Sequence, residues 1–188
     1  MSDYQFINNY LEDFSRLLKP NDEIIASLIH IRDILLDAKN NRKKVLIFGN
    51  GGSSAIASHF AVDIIKNFNI QCLNCNEAAI ITCFANDYGY EHWVEKAVEF
   101  HGNEGDILIT ISSSGSSKNM TNAVQAARGA GFASVITLSG FKINNPLSQL
   151  GDINLWVNSM SYNYVENLHQ IWLLTVVDLL VSSNESNR

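Results

Sequence analysis

Several features that mark large classes of proteins are missing from this sequence of 188 residues. No apolar run approaches the ~20 residues that a membrane-spanning helix needs, and Met1-Ser-Asp-Tyr-Gln lacks the charged-then-apolar form of a secretion signal. No basic block offsets the net charge of −6, which argues against nucleic-acid binding. Cys72, Cys75 and Cys83 form no disulfide framework, and no second pair completes a zinc ribbon. We therefore expect a cytoplasmic protein with reduced thiols that binds neither membrane nor nucleic acid.

Charge is also scarce, because only 17% of the residues are Asp, Glu, Lys or Arg while 46% are apolar. A soluble domain usually carries about a quarter charged residues, so part of this surface is expected to be covered by other subunits. Apolar residues recur at helical spacing between 4 and 39, where Pro20-Asn21-Asp22 divides two helices. These N-terminal helices have more apolar surface than a small sheet covers, which predicts a homo-oligomer, most simply a homotetramer.

From residue 44 onward the pattern alternates between strands and helices. Strands are predicted near 44–49, 70–74, 106–111, 133–138 and 153–157, and helices near 53–66, 91–101, 118–129 and 164–182. The stretch from Glu77 to Phe84 fits either type. Such alternation predicts an α/β fold with a parallel sheet that is covered on both faces and binds ligands beyond the carboxyl ends of its strands. We expect one domain over 1–188, with N-terminal helices at 1–40 and an α/β core at 44–183.

Two turns of small residues follow predicted strands. Asn50-Gly51-Gly52-Ser53 precedes one helix, and Ser112-Ser113-Ser114-Gly115-Ser116-Ser117 precedes another. Backbone N–H groups and hydroxyls at a helix N-terminus bind anions without arginine, so two such turns predict a phosphorylated, hydroxyl-rich ligand. The alternatives are a tight strand-to-helix turn for the first and a serine N-cap for the second. Neither turn has the glycine pattern of a dinucleotide site or the lysine of a P-loop, so no nucleotide cofactor is expected.

Polar residues on two predicted helices are further candidates. His59 and Asp63 are four residues apart and share a face, which suits a metal pair, a base with an orienting partner, or a surface ion pair. Glu166, His169 and Trp172 follow at three-residue steps on the last helix, where they form either a subunit-interface network or the wall of a site. Asn86-Asp87 is, by composition alone, a turn.

Taken together, these motifs resemble the sugar isomerase (SIS) domain, and within it the phosphoheptose isomerases, which act on sedoheptulose 7-phosphate. The resemblance spans about residues 5 to 182 and includes Gly49–Ser53, His59–Ala61, Asn86–Gly89, Gly105–Gly115 and Val135–Leu138. It implies a three-layer, flavodoxin-like α/β/α sandwich with a five-stranded parallel sheet, and a homotetramer with active sites between subunits. It also implies sugar contacts at Asn50, Gly51, Gly52, Ser53, Asn86 and Asp87, and phosphate contacts at Ser112, Ser113, Ser114 and Ser117.

The chain departs from this family at its catalytic positions. Asp63 stands where the family has a glutamate that is both base and zinc ligand, His169 where it has a glutamine, and Val177 where it has a histidine. The resemblance implies an aldose–ketose isomerase in which Asp63 is the base and His169 the acid or a ligand. Zinc is a possible cofactor, held by His59, Asp63 and His169, with Glu166 as a further candidate. The alternative is a non-catalytic module that binds a sugar phosphate or a protein such as a replication initiator.

Overall fold

The computed structural model describes residues 1–185. Two N-terminal helices are followed by alternating strands and helices, as the sequence predicts. The helices are α1 (Asp3–Leu18), α2 (Asp22–Asn40), α3 (Gly52–Phe68), α4 (Ala78–Tyr88), α5 (Trp93–His101), α6 (Lys118–Gly129), the 3₁₀ turn Leu147–Gln149, and α7 (Tyr162–Glu185). The strands are β1 (Val45–Gly49), β2 (Cys72–Leu73), β3 (Ile107–Ser112), β4 (Ser134–Ser139) and β5 (Ile153–Trp156).

The five strands form one parallel sheet in the order β2-β1-β3-β4-β5. Every residue of β1, β3 and β4 is buried, because helices cover both faces. Ile47 and Ile109 pack with α2, α3 and α7 on one face, while Phe48 and Leu108 pack with α5 and α6 on the other. The predicted three-layer α/β/α fold is therefore confirmed.

The strand order brings the two small-residue turns together. The strand after β1 in the chain, β2, lies on one side of β1, and β3 lies on its other side. The chain therefore leaves β1 toward one edge of the sheet and leaves β3 toward the other edge. A parallel sheet opens a crevice at the carboxyl ends of its strands at such a switch point. The turns after Gly49 and Ser112 begin at this crevice, and the register pairs Gly49 with Ile111.

The stretch that the sequence left undecided is a helix. It belongs to α4, which ends at Gly89 with φ of +92°, a conformation suited to glycine. Asn86 and Asp87 lie in the last turn of this helix, so reading them as a turn from composition was wrong. Neither α1 nor α4 has a buried residue in the described part of the chain. Among residues 1–185, no helix combines the length and apolar character that crossing a bilayer requires.

Candidate functional site

The first turn leaves the N-terminus of α3 open. Gly49 approaches the next turn so closely that a Cβ there would lie 2.6 Å from the carbonyl carbon of Ser53. Gly51 has φ of +55°, and as the residue before α3 it provides no side-chain cap within the described chain. Gly51 and Gly52 are exposed, whereas Ser53 is buried. Ser53 N donates within the turn, to the carbonyl of Asn50 at 3.0 Å. The exposed backbone N–H groups of Gly51 and Gly52 are therefore the ones accessible to a ligand.

The second turn has the same character, with hydroxyls added. Ser112 Oγ donates to Ser117 Oγ at 3.0 Å, and Gly115 N donates to the carbonyl of Ser112 at 2.9 Å. Ser117 precedes α6 without capping it through its side chain, as far as residues 1–185 show. The hydroxyl of Ser113 is buried, and no partner for it lies among those residues. Because a buried hydroxyl without a partner is costly, this group is suited to receive a ligand oxygen.

A set of hydrogen bonds connects the two turns. The Asn50 and Asn119 side chains donate to each other's oxygens at 3.1 and 2.9 Å, and the Tyr90 hydroxyl donates to Asn50 Oδ1 at 2.9 Å. The sequence reasoning missed Tyr90 and Asn119, although both stand beside quoted motifs. Asn86 and Asp87 bond instead to each other, and Asp87 accepts from Cys83. Tyr90, rather than this pair, provides the observed hydrogen bond to the first turn.

The remaining polar side chains lie where α3 faces α7. His59 Nε2 is 3.4 Å from Asp63 Oδ2, and His59 Nδ1 is 3.3 Å from the amide nitrogen of Gln170. An amide nitrogen donates, so in this arrangement His59 Nδ1 accepts from Gln170, and Nε2 faces the Asp63 carboxylate. The Glu166 carboxyl lies against Gly52, since its Cδ is 2.8 Å from where a Cβ would be. Burial raises the pKa of Glu166 above its ordinary value.

His169 lies elsewhere, which corrects the predicted acid and ligand. Its ring is fully buried, and Nε2 donates to the carbonyl of Ser139 at 3.0 Å. Burial lowers its pKa to about 4, although the hydrogen bond to Ser139 acts in the opposite direction. Trp172, at 6% exposure, is also in the core. Residues three apart differ by about 60° in direction around a helix. The predicted stripe therefore divides into Glu166, which faces the site, and His169 and Trp172, which lie in the core.

The face of α7 toward α3 instead contains Glu166 and Gln170, and four-residue spacing places Leu174 next on it. Val177 is 3% exposed and packs in the core. Glu166 meets Gly52 at the start of α3, and Gln170 meets His59 further along it. Four-residue spacing places Asp63 and Leu174 one turn beyond the His59–Gln170 pair on their own helices.

The predicted zinc triad is not formed by these residues. With His169 in the core, His59 and Asp63 supply one nitrogen and one carboxylate, whereas a catalytic zinc usually has three protein ligands. Within residues 1–185, no three His, Cys, Asp or Glu side chains are grouped to hold a metal ion. Cys72 and Cys75 are buried free thiols, and Cys83 is an exposed one. The residues present do not fit the triad, and we derive no step through a metal.

Two uncapped helix N-termini joined at a switch point define a domain that binds phosphorylated ligands. Residues 6–140 match the SIS domain family, and the chain belongs to that family. It is 32% identical to the phosphoheptose isomerase of Geotalea uraniireducens over 164 residues, 84% of this chain and 86% of that protein. The Campylobacter concisus phosphoheptose isomerase is 31% identical over 176 residues, 90% and 92% of the two chains.

Solved structures agree with the sequence relatives. A phosphoheptose isomerase from Francisella tularensis superposes with a TM-score of 0.89 at 27% identity, covering 97% of this chain and all of that one. The phosphoheptose isomerase from Neisseria gonorrhoeae gives 0.88 at 26% identity, with 95% and 99% covered. The predicted resemblance to the phosphoheptose isomerases within the SIS family is thus confirmed.

Proposed function

We propose that this chain is a sugar-phosphate isomerase that interconverts the ketose sedoheptulose 7-phosphate and an aldose phosphate. The observation that carries the proposal is the pair of uncapped helix N-termini at the β1–β3 switch point, with the unpartnered Ser113 hydroxyl beside them. Sequence relatives and structures of phosphoheptose isomerases support this activity over the alternative of a non-catalytic binding module.

In this proposal the second turn holds the phosphate and the first turn holds the sugar. The phosphate accepts hydrogen bonds from hydroxyls and from the free N–H groups at the start of α6, whose dipole favours a dianion. These hydroxyls belong to Ser112, Ser113, Ser114 and Ser117. The exposed backbone of Gly51 and Gly52, with Asn50 and Ser53, faces the sugar hydroxyls. Asn86 and Asp87, both exposed, complete this set as further proposed contacts.

Isomerisation moves a proton between C1 and C2 of the open-chain sugar through an enediolate. We assign the base to Asp63, because its carboxylate lies 3.4 Å from His59 Nε2, close enough for the ring to orient it. Glu166 takes the role of proton donor that the sequence analysis assigned to His169. It lies beside Gly52 at the first turn, and partial burial favours its protonated form. N–H groups of the first turn stabilise the developing oxyanion.

A homotetramer with sites between subunits remains part of the proposal. Exposed apolar residues surround the assigned base, since Val62 is 59% and Ile65 46% exposed on the same helix as Asp63. On α1, Tyr4, Ile7 and Leu11 are exposed by more than half. In both places the exposed apolar residues occur in groups and not singly, which favours their burial by other copies of the chain. The free, buried Cys72 and Cys75 favour a reducing, cytoplasmic location.

The direct test is turnover of sedoheptulose 7-phosphate, followed by chromatographic separation of ketose and aldose phosphates, with a pentose and a hexose phosphate as comparison substrates. We expect conversion of the heptose phosphate above the others. If the wild type converts none of the three, with or without added zinc, the enzymatic proposal is wrong. Binding without turnover would favour the non-catalytic module.

A further inference from the structure

The segment that follows β4 packs against the second turn. We call residues 140–147 the bracing segment. Two backbone hydrogen bonds join it to the turn: Gly140 N donates to the carbonyl of Ser113 at 3.0 Å, and Leu147 N donates to that of Gly115 at 2.9 Å. The backbone of the serine turn is therefore held at two points by a segment that itself has no regular structure until Leu147.

One buried side chain organises the bracing segment. Asn145 is 3% exposed, and its amide nitrogen lies 2.8 Å from the carbonyl of Lys142, 3.1 Å from Ser139 Oγ and 3.2 Å from the carbonyl of Gly140. Its Oδ1 accepts from Ser148 N at 2.9 Å. A buried amide with donors and acceptors all engaged fixes one conformation of the segment around it.

The same side chain lies directly against the serine turn. A Cβ on Gly115 would overlap the Asn145 side chain, whose own Cβ is 2.7 Å from that position. Gly115 also has φ of +64°, a left-handed conformation that residues with a Cβ adopt only at an energetic cost. Gly115 therefore meets two independent requirements, one from its own backbone and one from Asn145.

We propose that Asn145 is a positioning residue for phosphate binding. It acts through Gly115 and the bracing segment to hold the Ser112–Ser117 turn in the conformation that receives the phosphate. The inference rests on the proposed function, because it takes that turn as the phosphate site. An anion site made of hydroxyls and backbone N–H groups depends on their orientation, because the backbone fixes where these donors point.

The first experiment compares Asn145→Ala with Thr137→Val, a matched control. Thr137 is also fully buried on β4 and hydrogen-bonded, to Asn154 and the carbonyl of Ile153, but none of these bonds involves the serine turn. Calorimetric titration with inorganic phosphate should show roughly tenfold weaker binding for Asn145→Ala, or about 1.4 kcal/mol. Thr137→Val should bind like wild type. With sedoheptulose 7-phosphate, KM should rise by a similar factor while kcat stays within about twofold.

Hydrogen–deuterium exchange tests the brace without relying on any ligand. Amides of the 112–117 turn should exchange faster in Asn145→Ala and stay unchanged in Thr137→Val. Unchanged exchange, or phosphate binding no weaker than in the control, overturns the proposal. If wild type itself binds no phosphate, the proposed function fails, and the binding half of this inference fails with it. The exchange result then still decides whether Asn145 holds the turn.

A double-mutant cycle isolates the contact and remains informative if one single variant folds poorly. Gly115→Ala should weaken phosphate binding strongly in the wild-type background, because the new methyl meets Asn145. In the Asn145→Ala background the overlapping amide is gone, so the same substitution should add a smaller loss, which comes from the remaining Cβ of residue 145 and the positive φ of residue 115. If the double variant loses as much phosphate affinity as the product of the two single losses, the two residues do not act through each other.

Discussion

The burial of His169 on α7 predicts how the stability of the folded chain depends on pH. The pKa of His169 is about 4 in the folded chain against an ordinary value of 6.5, chiefly because burial disfavours the charged ring. Between these pKa values the unfolded chain binds a proton at this residue and the folded chain does not. Stability therefore falls as pH falls from about 6.5 to about 4. At about 1.4 kcal/mol per pH unit, the full loss is about 3 kcal/mol, with about 2 kcal/mol lost by pH ~5.

Urea unfolding at fixed protein concentration, followed by circular dichroism from about pH 8 to about pH 5, measures this loss. His169→Gln removes the titrating ring and retains an N–H donor toward Ser139. The free energy of unfolding of wild type should fall more steeply with pH than that of the variant, by about 2 kcal/mol over this range. Thr137→Val, which removes a buried hydrogen bond but no titrating group, should keep the wild-type slope. Parallel curves for wild type and His169→Gln would show that burial of this ring is not the cause.

Three further predictions concern the proposed site. Asp63→Asn should reduce kcat by several orders of magnitude, because it removes the proton acceptor but not the shape. The control Asp37→Asn, which changes an exposed acid on α2, should leave steady-state rates unchanged. Glu166→Gln should lower kcat. The activity of wild type should fall as pH rises through the raised pKa of the Glu166 carboxyl, and a pH–activity profile without this fall would exclude Glu166 as the donor. A triple variant with alanine in place of Ser112, Ser114 and Ser117 should show no phosphate binding in calorimetry. Ser116→Ala is the control from the same turn. Retained affinity in the triple variant would mean that the phosphate binds elsewhere.

The architecture followed from local patterns because parallel strands that are buried on both faces are apolar throughout. Val45–Phe48 is such a run, Ile107–Ile111 is one apart from Thr110, and each breaks into small residues where its strand ends. The α4 segment was undecidable because it has no fully buried residue: only the partly buried Ile80, Ile81 and Phe84 pack against the core, and so short a pattern fits either type of structure.

The candidate site was predictable in its backbone parts and less so in its side chains. Asn50–Ser53 and Ser112–Ser117 were identified because glycines and serines after a strand have few other roles at that density. Tyr90 gave no signal of its own, because its contact with Asn50 depends on how α4 and α5 are placed. Asn145 gave none either, since an asparagine in a connection is ordinarily a turn residue.

The sequence by itself determined the order of strands and helices along the chain, the two turns proposed to bind anions, and the family, all of which depend on neighbours within a few residues. The rotation of α7 about its axis was decided only in three dimensions. Helical spacing says which residues share a face, but the packing of Leu168, Trp172 and Val176 against the sheet decides which face turns inward. That packing puts His169 in the core and leaves Glu166 and Gln170 facing α3, because burying the larger apolar area outweighs the cost of burying one neutral imidazole.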